Sequence, residues 1–486
     1  MGEVKKSTFI LQLPLHTTNS DVAALNKYFE LSRKLYNVLL NESLKRLNLM
    51  RQSKQYQLIK KLDKKEQTKA YRKAREDFRF TKYDLIKFST PLRINEFKQV
   101  DSSTVQKLAQ RAFLSVERMF YGKAKRVNFK CKGEMDSVEG SSNRQGIKYR
   151  DGYLQWNKLN IKVKIKECDY YAHEALTNKI KYCRIVRKLI RGKIRFFIHL
   201  VLEGIPPRKI DNKTGMFKGR HGEGKVGIDI GTQTIAIVSK NETKLLELAP
   251  EVNSIHKQMR VIQRKMNRSK CMMNPHKFNE DGTIKRRNGE KWIWSKNYLK
   301  LRYQLAELQR KQADIRKQSH YRLANWIISL GDRFYVEQMN YKGLQKRTKE
   351  TIINEKTGRY NKKKRFGKSL ANKAPAMILT LLKQKLGYWE LELNKIDTFN
   401  FKASQYNHFT DDYTKKSLSA RWNEFECGKI QRDLYSAYLI MNSRDDLKNT
   451  DRALCISSWN NFKQLHDIEV ERLKNCGNKL IGSMGL

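Results

Sequence analysis

The 486-residue chain carries 101 Lys and Arg against 49 Asp and Glu, a formal net charge of +52 with 39% hydrophobic residues. That length asks for more than one domain, and a positive excess running from end to end opposes compaction unless a polyanion neutralises it, so the natural partner is a long polyanion rather than a membrane surface. No apolar run approaches the roughly 20 residues of a membrane span, MGEVKKSTFI lacks the apolar centre of a secretion signal, and the seven cysteines form no Cys-x-x-Cys pair, which together lead us to expect reduced thiols in a cytoplasmic protein.

In chain order, VKKSTFILQLPL (residues 4–15) is expected to be a strand, and residues 1–19 form an N-terminal strand segment. Between 20 and 121 apolar residues recur at three and four with Lys and Arg on the other faces, the pattern of a basic helical domain. DLIKFSTPLRINEF is expected to interrupt those helices, and SSTVQKLAQRAFLSVERMF to resume them with Ser102 or Ser103 as cap. From 122 to 210 the runs NFKCKG, YLQW, IKVKIKE, YCRIVRKLI and KIRFFIHLVLE, separated by Gly, Asn and Asp, suggest an antiparallel β-barrel or sandwich. Residues 211–225 read as a linker.

The strand pair VGIDIGTQTIAIVSK opens a last region, 226–486. A helix-prone charged stretch (250–329) precedes the strand RFYVEQM. Residues 341–373 are so basic and polar that they read as a lid loop ordering on nucleic acid. APAMILTLLKQKLGYWELELNK returns to helix, IDTFNFKAS to strand and GKIQRDLYSAYLIMNS to helix, with a final helix near Arg452–Leu473.

Asp229 sits in an apolar strand whose Val226, Ile228 and Ile230 point to the other face. A buried, unpaired carboxylate there is costly, so it needs a cationic partner or a metal. Two machines open in this way, the ATP hairpin of actin-like ATPases and the first catalytic strand of RNase H-like nucleases. The ATPase reading needs a second phosphate turn, for which only EDGTIKRR (Glu280–Arg287) offers an echo. The nuclease reading finds Glu337 ending the strand FYVEQMN and Asp433 starting RDLYSAYLI, where the small Ala437 lets the helix lie close to the sheet. Three hard oxygen ligands suit Mg²⁺ (or Mn²⁺) beside phosphate.

At these residues the chain resembles TnpB, the insertion-sequence-encoded RNA-guided nuclease family related to miniature type V CRISPR effectors. Asp229 in GIDIGT looks like the acid of the first RuvC motif, Glu337 in VEQMN like the second and Asp433 in QRDLYSAYLI like the third. IRGKIRFFIHLVLEGIPP, LANKAP and ASQYNHFTDDYTKKSLSARW extend the likeness, from about Val127 to Ser443. The resemblance implies an α+β multidomain protein with a helical recognition domain, a β-barrel wedge domain and an RNase H-like (RuvC) α/β nuclease domain with helical insertions. It implies a monomer bound to a guide RNA from the end of its own element, reading a short target-adjacent motif and cutting double-stranded DNA in the bacterial cytosol and nucleoid. Base pairing would then read the sequence, leaving the protein phosphate contacts. Other outcomes of the same motifs are an RNA-guided DNA-binding repressor without cleavage and a strand-transferring transposase. The family's zinc ribbon is degenerate in the insertion 403–431, where Asn407, Thr410, Glu424 and Cys427 occupy the ligand places. One thiolate cannot make a structural zinc site, so no zinc is expected, and packing of Tyr406, Tyr413, Leu418 and Trp422 is expected to hold the insertion together.

YGKAKRVNFKCK interleaves cations with aromatics, a pattern suited to gripping a backbone and stacking a base. It nominates Lys123, Lys125, Arg126 and Lys130 as nucleic-acid contacts, with Tyr121 and Phe129 as stacking or core residues. In the basic loop Lys363, Lys364, Arg365 and Lys368 are candidates of the same kind. Arg421 and Arg432, near the third acid, either steady a phosphate or pair with a carboxylate.

Overall fold

The computed structural model describes residues 7–211, 214–216, 219–285, 291–347, 350, 352–353, 358, 366–417, 420–476, 482 and 484–485. It divides into two compact units, Met1–Lys209 and Ile210–Leu486. Among the described residues no helix is long and apolar enough to cross a membrane.

The first unit opens with β1 (Thr8–Pro14), which buries Phe9, Leu11 and Leu13 and exposes the residues between them. Helix α1 (Asn19–Gln52) starts at a capping box: Thr18 Oγ1 accepts from Asp21 N, and the Asp21 carboxylate accepts from Thr18 N. Its stripe of Leu25, Phe29, Tyr36, Leu39, Leu40 and Leu47 is buried. Three shorter helices follow, α2 (Lys54–Ile59), α3 (Lys64–Asp77) and α4 (Lys82–Asn95), and then α5 (Ser102–Phe120) packs along α1. The helix begins at Ser102, and the cap is Asp101, whose carboxylate accepts from Thr104 N. The stretch expected to interrupt the helices is α4 itself. Pro91 lies inside it; near the end of a helix whose Leu85 and Ser89 are buried, the lost backbone bond is outweighed by packing.

The strands of this unit are β2 (Ser137–Glu139), β3 (Lys148–Arg150), β4 (Tyr153–Trp156), β5 (Leu159–Lys162), β6 (Ile180–Ile190) and β7 (Lys193–Glu203), with α6 (Tyr170–Leu176) before β6. They form two antiparallel sheets, β1-β7-β6-β2 and β3-β4-β5, joined at one corner by the Leu15–Val163 bridge. Arg191 and Gly192, both at positive φ, make the tight turn of the β6–β7 hairpin. The expected barrel does not close. Helix α1 covers the sheet, with Phe29 edge-on to Phe196 at 5.8 Å, and the small sheet turns the buried Trp156 into the same core, its indole N–H donating to Asp101 Oδ2 at 2.8 Å. NFKCKG forms no strand either, because side chains of α1 take its backbone bonds: Lys130 O accepts from Arg33 and Asn37, and Lys130 N donates to Asn37 Oδ1.

The second unit is built on β8 (Lys225–Ile230), β9 (Thr234–Ser239), β10 (Thr243–Glu247), β11 (Arg333–Glu337) and β12 (Leu393–Ile396), in the order β10-β9-β8-β11-β12. The first three form an antiparallel meander, while β11 and β12 run parallel to β8. Between β10 and β11 lie α7 (Val252–Met273) and α8 (Lys296–Ile328); after β11 come α9 (Tyr341–Leu344), α10 (Gly367–Lys373) and α11 (Pro375–Leu386). The rest of the chain adds α12 (Thr398–Phe401), the hairpins β13–β14 (Tyr406–Asn407, Asp412–Tyr413) and β15–β16 (Trp422–Phe425, Gly428–Gln431), α13 (Arg432–Met441) and α14 (Arg452–Lys474). Val226, Ile228, Ile230, Phe334 and Val336 face α8 and α11 through Ile327, Ile378 and Leu382. Ala236, Val238 and Tyr335 on the other face meet α13 and α14 through Ala437, Tyr438 and Trp459.

Several boundaries differ from the sequence expectation. The stretch 341–373, expected to be a loop, begins with α9 and ends with α10, while much of what lies between is outside the described residues. The helix expected over APAMILTLLKQKLGYWELELNK stops at Leu386, and its last residues enter β12. Only Ile396 of IDTFNFKAS is in a strand, since Asp397 caps α12 by accepting from Phe399 N. GKIQ pairs as β16 before the helix begins at Arg432.

Candidate active site

Alternation along β8 puts Gly227 and Asp229 on the face opposite Val226, Ile228 and Ile230. The parallel register pairs Tyr335 with Gly227 and Val336 with Ile228, so Glu337 falls beside Asp229 one step further on. Both acids thus occupy the carboxyl ends of adjacent parallel strands, where open α/β sheets bind ligands. The third acid arrives on α13, which lies directly across β8. A Cβ on residue 227 would fall well inside van der Waals contact with the Ala437 carbonyl oxygen and the Met441 amide. Only glycine lets the helix descend that far, which carries Asp433, in its first turn, to the two strand ends. Sequence reasoning assigned the close approach to Ala437; the strand's Gly227 is the residue that permits it.

The electrostatics follow from this crowding. Asp229 is pushed well above the usual carboxylate range, first by burial and then by the charges of Glu337 and Asp433, with Arg432 pulling the other way. Burial also raises Glu337. Arg432 donates from Nε and Nη2 to Asp433 Oδ1 at 3.3 and 3.2 Å and from Nη1 to Ala420 O at 2.8 Å, and Arg421 Nη1 lies 4.0 Å from the same carboxylate oxygen. Both arginines lie beside the Asp433 carboxylate in this structure.

Among the described residues no three His, Cys, Asp or Glu side chains close into a metal-binding group. The acids are electrostatic neighbours that leave a cation shell open. Such a set suits Mg²⁺, which binds through one or two carboxylates and completes its shell with waters and phosphate oxygens. The echo of an ATP site offers no counterpart: Asp281 closes a local turn by accepting from Thr283, flanked only by the single bridge Phe278–Ile284.

One residue of this site was not anticipated. Tyr341, immediately after Asn340, has a hydroxyl that is buried and without a hydrogen-bond partner among the described residues. Burial raises its pKa first, and the charges of Asp229 and Glu337 raise it further. Its only signal in sequence is position, just past the second acid.

Comparison with known proteins gives little to add to this geometry. No protein-family model matches the chain, and no curated protein matches it. Two solved structures align along most of it. One, a cryo-EM structure of a Cas12f1–sgRNA–target DNA complex, is 12% identical with a TM-score of 0.42, covering 90% of this chain and 99% of that one. The other, a cryo-EM structure of a CRISPR-Cas12f ternary complex, is 13% identical with a TM-score of 0.26, covering 87% and 82%. Likeness at that level carries no argument about activity.

The nominated basic residues fare differently from one another. Lys123, Lys125 and Arg126 are exposed on an irregular segment whose Tyr121 and Phe129 are 54% and 48% exposed, so neither aromatic is a core residue. Lys130 is half-buried, its ammonium donating to Glu134 O at 3.3 Å and lying over the Tyr36 ring. Lys363, Lys364 and Arg365 lie outside the described residues, as does Leu418. Lys368, on α10, comes near α7, where its charge and that of Arg260 add to burial in lowering the pKa of His256.

In the 403–431 insertion, Asn407 pairs with Asp412 and Glu424 with Lys429, while Thr410 and Cys427 are exposed. Tyr406 packs on Tyr413 at 4.9 Å, Phe409 on Phe425 at 5.4 Å, and the Trp422 indole donates to Gly485 O. His408 is a core residue, fully buried against Trp459, with Nδ1 at 2.7 Å from the Tyr435 hydroxyl.

Proposed function

We propose that this chain is an RNA-guided DNA endonuclease of a transposable element, with an RNase H-like (RuvC) core formed by the second unit. The observation that carries the reading is that Glu337, from the adjacent strand end, and Asp433, from the overlying helix, both come within electrostatic reach of Asp229. The sheet order supports it, with the first acid strand at the centre and the second acid strand beside it. The guide RNA, the target-adjacent motif and the element's own origin of the guide follow from the likeness of the three motifs to the TnpB family. The net charge of +52 supplies the phosphate affinity that such a division of labour needs.

Asp229 and Glu337 hold the site's negative charge in poor contact with water, and Asp433 shares that task while Arg432 and Arg421 keep its carboxylate in place. Mg²⁺ ions bound there would stabilise the charge that develops on attacking and leaving phosphate oxygens. In the absence of a cation the acids repel one another, so they are prepared to bind it together with a phosphodiester. We place the protein in the bacterial cytosol as the single protein subunit of a ribonucleoprotein.

The test is to express the chain with its native flanking DNA, sequence the RNA that purifies with it, and offer Mg²⁺ and a plasmid library matching that RNA's end beside a randomised flank. Cleavage beside one flank motif is expected, with Asp229→Ala abolishing cleavage and leaving RNA and target binding intact. Guided binding without cleavage would replace the nuclease with a repressor, and the lack of any discrete RNA would remove the guide from the reading.

A further inference from the structure

The small sheet β3-β4-β5 turns Leu154, Trp156 and Ile161 into the core of the first unit. Alternation puts every second residue on its other face, and the register sets these in two rows: Lys148, Gln155 and Asn160 side by side, and Arg150, Tyr153 and Lys162 side by side. Neighbours within a row have Cβ atoms about 5 Å apart, and the rows lie about 7 Å apart along the strands. Tyr153, at the centre of the second row, is 37% exposed; Arg150, Asn160 and Lys162 are exposed, and Lys148 and Gln155 are half-buried. None of the six side chains has a hydrogen bond, ion pair or ring contact among the described residues.

This face carries three cations and no acid, since Asp151 lies in the turn between β3 and β4. Beside the first row the surface sinks into a cleft of about 410 Å³, which Lys148, Gln155 and Asn160 share with Asn157 and Lys158 of the β4–β5 turn. Asp101 also lines the cleft, but its two carboxylate oxygens accept from Thr104 N and from the Trp156 indole. The polar side chains left to a ligand there are cations and amides.

A ring stacks on a base only where the base is out of its helix. Guanidinium and ammonium groups only donate, which suits phosphate oxygens, whereas amides both donate and accept, which suits base edges and the ribose 2′-hydroxyl. We propose that this face binds an unpaired stretch of the RNA carried by the chain, with one base stacked on Tyr153, flanking phosphates at Arg150 and Lys162, and a neighbouring nucleotide in the cleft at Lys148, Gln155 and Asn160. The assignment rests on the RNA-guided reading above and extends it to the first unit. A duplex offers the face only its backbone, because its base faces cover one another, and Tyr153 and the amides would then have no role. Two amides beside a cation also match the 2′-hydroxyl, a group that DNA lacks.

The experiment has two arms. In the first, the ribonucleoprotein is assembled in cells fed 4-thiouridine and irradiated, and the crosslinked peptides are identified by mass spectrometry; a crosslink to the peptide holding Tyr153 is expected. In the second, the full chain is titrated with an unstructured RNA of about ten nucleotides, within the site sizes of single-strand-binding folds. Tyr153→Ala is expected to weaken binding about 10-fold, the scale for one stacked base, with melting temperature unchanged, and Tyr153→Phe, which keeps the ring, to stay within about twofold of wild type. Arg150→Ala with Lys162→Ala leaves the ring in place, so it tests the face independently of how Tyr153→Ala folds; it is expected to reduce the logarithmic salt slope by about 1.4, about 0.7 for each phosphate of a single strand.

A crosslink that maps elsewhere, or wild-type binding in both Tyr153→Ala and the double variant, would overturn this role while leaving the RNA-guided reading in place. A Tyr153→Ala loss as large for single-stranded DNA of the same sequence would assign the face to a DNA strand, and one as large for a duplex would reduce it to a backbone grip. Either result overturns the RNA assignment. Wild type that carries no RNA and binds none would remove the RNA-guided reading and this role together.

Discussion

Asp229 and Glu337 end adjacent strands, and burial raises the pKa of both, that of Asp229 well above the usual carboxylate range with the charges of Glu337 and Asp433 adding to it. An acid whose pKa is higher in the folded than in the unfolded chain makes the folded state bind more protons. Stability therefore falls as pH rises from the unfolded value, about 4, through the raised folded one. Asp229→Asn keeps the shape and removes the charge. It is expected to raise the melting temperature at pH 8 by about 2–4 °C, the shift that about 1 kcal/mol gives in a domain of this size, with little gain at pH 5 and with cleavage lost. Mg²⁺ should raise the melting temperature of wild type more than that of the variant, because binding to the folded state alone is stabilising. Thermal melts at both pH values check this, and an equal shift at pH 5 and pH 8 would remove the electrostatic account. Function at this site and stability thus pull in opposite directions.

The link between helix and sheet is as sharp as the charge pattern. Because a Cβ on residue 227 meets backbone atoms of α13 rather than a movable side chain, Gly227→Ala is expected to cost at least about 1–3 kcal/mol and to abolish cleavage by lifting Asp433 away from the strand ends. Gly231→Ala, whose Cβ would press only on the Thr234 hydroxyl and carbonyl, is the control expected to stay close to wild type in urea unfolding and in cleavage. The strand residues themselves were legible in the sequence: a period of two with one acid breaking it marked β8 and β11, and the apolar spacing after Asp433 marked α13. What Gly227 does was not legible, since its meaning depends on a helix far along the chain. The other misreadings share that cause. NFKCKG has the composition of a strand but loses its backbone groups to Arg33 and Asn37. DLIKFSTPLRINEF contains a proline and is still helical because its neighbours bury one side of it. The expected barrel depended on sheet edges meeting, and α1 covers that sheet. Tyr341 could be found only once the fold had sealed its hydroxyl from water.

Across the whole chain, cations exceed acids by more than two to one, and only some of them are committed to partners within the fold. Arg33, Arg432 and Arg472, for example, are tied to carboxylates or carbonyls. A surface of this kind binds polyanions by releasing their counterions, so affinity should fall steeply with salt, by about 0.9 in logarithmic slope for each phosphate neutralised on duplex DNA. The exposed segment after α5 gives that statement residue-level content. Lys125 and Arg126 are exposed there, whereas Lys130 spends its ammonium on the Glu134 carbonyl and the Tyr36 ring. We expect Lys125→Ala with Arg126→Ala to weaken binding to duplexes of any sequence and to reduce the slope by about 2, one unit for each lost phosphate contact. Lys130→Ala should leave the slope where it is and lower the melting temperature instead. Titrations of duplex DNA between 50 and 200 mM salt, roughly the range over which six to ten contacts change affinity by three to five decades, separate these outcomes. An unchanged slope in the double variant would mean that Lys125 and Arg126 are solvated charges, and the phosphate track would then have to be sought elsewhere on the surface.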